Sequence, residues 1–239
     1  MKRKMDLRLI NPRDYDHRKI NQHEMLKWFE NEDAAWVYEG KPSSQKAHAE
    51  LTSGFCSDGF FDCLKVLRYP NITEILARQL VNKLTWKEGL RNISWVVSSS
   101  YASIVFGHEV AKALKAIFLM TEKDLEDFGG NRMIWSRMTI PAHVKVLRVE
   151  ELITSGHTFK EVTRAVEEGN EIKQVNFIPV IGTLIHRPSK LPADYDGIKI
   201  VSLIEKEVRI FSPANCPYCQ VGSPKYRPKT NWAELVGKK

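Results

Sequence analysis

The chain has 239 residues, room for one large α/β domain, and its 43% hydrophobic and 27% charged content marks it as globular rather than disordered. The basic amino terminus, MKRKMDLRLINPRDYDHRK, lacks the apolar stretch of a secretory signal, and no apolar run approaches the roughly 18 residues of a membrane span. A net charge of +7 admits an anionic partner, but the densest basic clusters lie at the two ends and no basic–aromatic ladder accompanies them, which favours a small polyanionic substrate over nucleic acid.

In chain order, Asn21-Gln22-His23-Glu24 resembles a capping box that opens a helix carrying Leu26 and Phe29. Ile72, Ile75, Leu76, Leu80 and Leu84 recur at helical spacing, with Asn71 or Thr73 as the expected cap. Residues 93–97 read as a buried strand running into Ser98-Ser99-Ser100-Tyr101; a helix with Val105, Val110, Ala111 and Leu114 follows, then a strand over 116–120. Residues 121–140, with weak periodicity and a Gly129-Gly130 pair, read as a long loop or loose hairpin, a length at which loops often serve as lids. A strand over 144–149 precedes a helix with Phe159, Val162, Ala165 and Val166 on one face, ending at Gly169-Asn170. Strands over 175–181 and 198–204 complete the pattern, and the tail from Pro213 is rich in proline and polar residues. Strands alternating with helices predict an α/β fold with a mostly parallel central sheet flanked by helices.

The junction after the strand over 144–149 carries the chemistry. Glu150 and Glu151 fall at the carboxyl end of a strand, the edge where open α/β sheets bind ligands. Thr154-Ser155-Gly156-His157-Thr158 then opens a helix, and exposed amides at a helix start, with hydroxyls and a glycine, suit a phosphate. Carboxylates can accept from sugar hydroxyls or sit near a hydrated Mg²⁺. Together the two halves suit a ribose phosphate. The plainer reading, a strand end followed by a helix cap, fits the same residues, and neither the P-loop nor the GxGxxG spacing is present.

VLRVEELITSGHT resembles the phosphoribosyl-pyrophosphate (PRPP) signature of type I phosphoribosyltransferases, and the rest of the chain is similar to the orotate phosphoribosyltransferases among them. LTSGFCSDGFFD (51–62) resembles that family's LxSGxxSxxYF segment, and VVSSSYASIVFGHEVAKAL (96–114) takes the place of its pyrophosphate loop and helix. IFLMTEKD (117–124) is similar to the strand and lysine before the mobile loop, IGTLIHRPS (181–189) to the VDR strand end, and SPANCPYCQVGSPKYRP to the CPLCxxGxPxxKP ending of a bacterial branch. The resemblance implies one domain of the type I phosphoribosyltransferase fold: an amino-terminal hood or helical part to about residue 90, a PRPP-binding core to 212, and a tail over 213–239.

It also implies roles. Glu150 and Glu151 would hold the ribose hydroxyls and, indirectly, Mg²⁺; Thr154, Ser155, Gly156, His157 and Thr158 would surround the 5-phosphate. Ser98, Ser99, Ser100 and Tyr101 would meet the pyrophosphate, with Lys123 beside it. Thr154 and Arg187 would contact orotate, the planar fork of the arginine matching its carboxylate, and Phe60 and Phe61 would line the base pocket. The implied partners are PRPP and orotate, the cofactor Mg²⁺, and the assembly a homodimer. The reaction would pass through an oxocarbenium-like state, so positioning and charge stabilisation carry the catalysis.

Several positions depart from the family pattern. The pyrophosphate loop has no glycine over Ser98–Ser103, which restricts φ. Phe55 replaces a common basic residue, the acidic pair is Glu-Glu, Arg148 interrupts an apolar strand, and His186 replaces the aspartate beside Arg187. The lid over 124–137 is long and lacks a KxHG element. These departures allow a phosphoribosyltransferase for another base, or a PRPP-binding paralogue with impaired catalysis.

Four cysteines in this length do not make a disulfide framework and imply a reducing, cytoplasmic setting. Cys216-Pro217-Tyr218-Cys219 has metal-ligand spacing but needs two more ligands; Cys56 and Cys63 lie far upstream at an unusual separation, and His186 would serve only if the fold brought it close. The motif is therefore read as a structural turn. His108 reads as a packed helix residue and the six tryptophans as core or interface.

Overall fold

The computed structural model describes residues 4–127, 132–191, 193 and 195–237. Its strands are β1 (Ala35–Val37), β2 (His48–Glu50), β3 (Cys56–Ser57), β4 (Gly59–Phe61), β5 (Ile93–Ser98), β6 (Ile117–Met120), β7 (Glu122–Lys123), β8 (Met133–Ile134), β9 (Lys145–Ile153), β10 (Phe177–His186), β11 (Lys199–Glu205), β12 (Ile210–Phe211) and β13 (Lys225–Tyr226). The helices are α1 (Gln22–Asn31), α2 (Leu64–Leu67), α3 (Pro70–Asn82), α4 (Ala102–Leu114), α5 (His157–Gly169), α6 (Pro217–Gln220) and α7 (Trp232–Leu235).

Five parallel strands form the central sheet in the order β11-β10-β9-β5-β6. The pleat divides the apolar residues between two layers. Val96, Leu147 and Val149 join Ile72, Leu76, Phe106 and Val110 of α3 and α4 in the main core, while Trp95, Val97 and Val146 pack with Val162 and Val166 of α5. The strand order reverses between β5 and β9, so the connections from these neighbours leave in opposite directions and open a crevice beyond their carboxyl ends. That crevice is where the Ser98 and Glu150 segments meet.

Local signals explain most element ends. Asn21 accepts from the Glu24 amide at 2.9 Å and caps α1, but the Glu24 carboxylate pairs with Arg18 instead of closing the box. α3 starts at Pro70 after Tyr69, not at Asn71 or Thr73. Those two side chains are engaged elsewhere: Asn71 donates to the Leu7 and Ile10 carbonyls at 2.7 Å each, and Thr73 to the Leu67 carbonyl at 2.9 Å. The expected strand over 144–149 continues to Ile153, because β10 supplies ladder partners as far as His186 opposite Ile153. The adjacent carboxylates therefore ride on the strand instead of ending it. The loose hairpin expected over 121–140 contains the antiparallel pair β7–β8; its Gly129-Gly130 pair lies outside the described residues.

A second sheet, β12-β3-β2-β13, joins segments from both ends of the chain and, with the β1–β4 pair, forms the small hood. Among the described residues, no helix is long and apolar enough to cross a membrane.

Candidate active site

β5 ends at Ser98, and the chain turns across the face of Glu150, which is 2% exposed. Ser99 donates to Glu150 twice, from its amide to Oε1 at 3.2 Å and from its hydroxyl to Oε2 at 2.6 Å. Ser103, in the first turn of α4, donates to the same Oε2 at 2.8 Å and also meets Glu151 Oε2 closely, while the Glu151 amide donates to Ser103 Oγ at 3.2 Å. One hydroxyl proton cannot serve two carboxylates, so the Glu150–Ser103–Glu151 cluster calls for a carboxyl proton. Burial pushes the Glu150 carboxyl up to about 7; the hydrogen bond from Ser99 opposes this and the neighbouring Glu151 charge adds to it. Burial raises Glu151 as well.

The turn after β9 is open by comparison. Ser155, His157 and Thr158 are exposed, and Thr154 is half-buried. Gly156 sits at φ +82°, immediately before α5, and a Cβ there would meet Phe159 at 2.7 Å and Tyr195 at 2.8 Å. Only glycine permits both this backbone and this approach. The turn is held from behind: Tyr195 Oη donates to the Thr154 carbonyl at 2.6 Å and lies 2.9 Å from His186 Nε2. The carbonyl can only accept, so Tyr195 gives its proton there and takes one from His186, whose Nδ1 faces Glu205 at 2.9 Å. His186 thus supports the turn that carries Thr154, through Tyr195.

Arg187 follows on β10's extension, its amide donating to the Ile153 carbonyl at 2.8 Å. Its Nε and Nη1 are buried without a hydrogen-bond partner, and burial lowers its pKa. Ser100 Oγ is likewise buried and unpartnered. At the far side of the crevice, Lys123 Nζ lies 5.9 Å from the centroid of the Tyr101 ring, which is 71% exposed. Ser98 is wholly buried, its hydroxyl spent on the Ser99 carbonyl at 3.0 Å.

The aromatic pair behaves differently from expectation. Phe61 turns into the main core edge-on to Phe29, because alternation along β4 sends it to the opposite face from Phe60. Phe60 packs edge-on against Trp232, with ring centroids 6.4 Å apart. The contact to the crevice comes instead from Cys63, whose thiol lies 3.6 Å from the Glu151 carbonyl. Ser103, Cys63 and Tyr195 are the site residues that sequence reasoning did not select. Ser103 carried a signal as the last serine of the loop, whereas Tyr195 lies in a segment without pattern.

No family profile matches the chain. A protein of Caldanaerobacter subterraneus subsp. tengcongensis named orotate phosphoribosyltransferase is 30% identical over 201 residues, covering 83% of this chain and 97% of its own length. One of the same name from Desulforamulus reducens is 31% identical over 182 residues, covering 76% of this chain and 87% of that protein. The chain belongs to the orotate phosphoribosyltransferase family. The crystal structure of orotate phosphoribosyltransferase from Aeropyrum pernix superposes with a TM-score of 0.53 at 14% identity, over 76% of this chain and 93% of that one, and shows the type I phosphoribosyltransferase fold here. Against the orotate phosphoribosyltransferase pattern, Arg148 is explained by packing: it is 4% exposed beneath α5, donates to Thr163 Oγ1 at 2.9 Å and the Ile178 carbonyl at 3.0 Å, and lies 4.8 Å from the Phe177 ring centroid. Burial lowers it to about 10.

Proposed function

We propose that the chain is a PRPP-dependent pentosyltransferase that moves the phosphoribosyl group of PRPP to orotate, giving orotidine 5′-monophosphate and pyrophosphate in pyrimidine nucleotide synthesis. The observation that carries this is where unsatisfied polarity falls. Arg187 Nε and Nη1, just past the carboxyl end of β10, and Ser100 Oγ, in the turn after β5, are buried without partners. Buried donors are rarely left unpaired, and an anion at each would satisfy them. A carboxylate suits the arginine and a pyrophosphate the serine. Glu150 and Glu151 would hold the ribose hydroxyls and offset developing positive charge, the Thr154–Thr158 turn would hold the 5-phosphate, and Lys123 would face the leaving group.

Bound Mg²⁺ would neutralise charge on the departing pyrophosphate. Glu150 and Glu151, carboxylates at the carboxyl end of β9, would meet such an ion indirectly, through water and the PRPP that carries it. The same reading carries a homodimer in the cytoplasm, supported by the family resemblance.

Purified protein with PRPP, Mg²⁺ and a panel of bases should release pyrophosphate with orotate. Arg187→Ala should raise KM for orotate roughly 10–100-fold while leaving that for PRPP within a few-fold, the loss of a charged hydrogen-bonding partner. Turnover with a purine and none with orotate would overturn the assignment. A second reading, a PRPP-binding protein without turnover, is favoured by the serines that already occupy Glu150. Tight PRPP binding with no pyrophosphate released on any base would establish it.

A further inference from the structure

The hood contains a cluster unrelated to the crevice. His48 begins β2, the β2–β3 turn brings Cys56 alongside, Cys216 precedes α6, and Cys219 lies within it. The imidazole nitrogen and three sulfurs lie within 4.8 Å of one another. Cys56 Sγ is 3.6 Å from Cys219 Sγ, and Cys219 Sγ is 3.4 Å from His48 Nε2. A disulfide would need sulfurs about 2.0 Å apart. A tetrahedral zinc with Zn–S near 2.3 Å and Zn–N near 2.0 Å sets its ligands roughly 3.5–3.8 Å apart; the Cys56–Cys219 and Cys219–His48 separations of 3.6 and 3.4 Å match this, and the remaining pairs need at most a small contraction from within 4.8 Å.

The histidine is prepared for such a role. Ser223 Oγ gives its proton to the Lys46 carbonyl at 2.6 Å, an atom that can only accept. His48 Nδ1, 2.9 Å from the same hydroxyl, must therefore donate to it. That fixes the tautomer and leaves a bare lone pair on Nε2, directed at Cys219. A ligand histidine oriented through its other nitrogen is the usual arrangement at zinc. Tyr218 stacks on the imidazole with centroids 5.4 Å apart, and His48, Cys56 and Cys216 have no exposed surface.

We propose that His48, Cys56, Cys216 and Cys219 form a structural Zn²⁺ site that fastens the carboxyl-terminal segment to the amino-terminal hairpin. Three soft sulfurs and an imidazole select zinc over magnesium or calcium, and four protein ligands leave no open position for catalysis. The ion would close a loop between residues 163 positions apart, Cys56 and Cys219. Of the candidates weighed from the sequence, Cys63 lies against Glu151 and His186 against Tyr195, whereas Cys56 does join the CxxC pair; the fourth ligand is His48, which the spacing did not point to. Three thiols and a histidine packed only as small buried groups would form a similar cluster without metal, and metal content separates the two.

Tag-free protein purified without chelator should contain about one zinc per chain by mass spectrometry of the metal. Cys219→Ser should lose most of it and Cys63→Ser should keep it. Because the variant can misfold, wild-type protein exchanged with Co²⁺ gives a second readout: sulfur-to-cobalt charge transfer and the intense visible bands of a tetrahedral ion. Stripping the metal should lower Tm by roughly 10 °C or more, restored by Zn²⁺. Folded, metal-free protein whose Tm does not respond to Zn²⁺ would overturn the site, as would full zinc retention in Cys219→Ser.

Discussion

The turn after β9 directs its hydroxyls outward, whereas the turn after β5 folds its own inward onto a carboxylate. Ser155, His157 and Thr158 are exposed beside a glycine at φ +82°. Ser98 and Ser99 are buried, Ser103 is shared between two glutamates, and the positive φ of that loop, +68°, falls on Tyr101. The first loop is ready for an anion. The second spends the hydroxyls of Ser98, Ser99 and Ser103 within the protein and leaves only Ser100 Oγ of the four unpartnered, so a ligand reaching Glu150 must displace Ser99 and Ser103. One crevice thus joins an open turn to a loop whose serines are mostly engaged with Glu150 and Glu151, and the difference follows from where glycine is and is not.

The largest expected effect tests the closed side. Folded Glu150 titrates near 7 against 4.5 for an ordinary glutamate. Between those values the folded chain holds a proton the unfolded chain has lost, so stability falls as pH rises through the window and stays lowered above it. Glu150→Gln imitates the protonated state. It should gain about 3 kcal/mol over wild type at pH 8 and nothing near pH 4, by denaturant unfolding at each pH. Parallel curves for the two proteins would sink the proton-sharing cluster.

The open side was the more legible one. Its loop is contiguous in sequence, and turn, glycine and helix start follow each other in a pattern with a physical meaning. The helical face Phe159, Val162, Ala165 and Val166 is buried as its spacing implies. The closed side depends on pairings between residues about fifty positions apart, Ser99 with Glu150 and Ser103 with Glu151, which no local period encodes. The same holds for the hood, whose strands of two or three residues are too short to show alternation. Phe61 was misplaced because adjacent aromatics look alike until the strand assigns them opposite faces.

A smaller effect probes the preformed side. Gly156→Ala places a methyl 2.7–2.8 Å from the Phe159 and Tyr195 rings at a left-handed backbone position. The cost should be about 2 kcal/mol of stability. Because Tyr195 anchors the Thr154 carbonyl, the loop should shift and KM for PRPP should rise more than KM for orotate. An unchanged KM for PRPP in a destabilised protein would separate the loop's packing from phosphate binding.

The smallest effect addresses the missing glycine itself. Tyr101 adopts φ +68°, ψ −103°, a conformation unfavourable for a residue with a Cβ, and its ring is 71% exposed, so little packing is lost on removal. Tyr101→Gly should relieve strain, offset in part by the greater freedom of glycine in the unfolded chain, for a net gain of about 1 kcal/mol and a Tm rise of roughly 2–4 °C. The informative comparison is the same measurement with pyrophosphate added. If strain at Tyr101 holds the serines inward, the glycine variant should be stabilised more by pyrophosphate than wild type is. Equal shifts would mean that the grip of Glu150 on Ser99 and Ser103, not the backbone, keeps the loop closed.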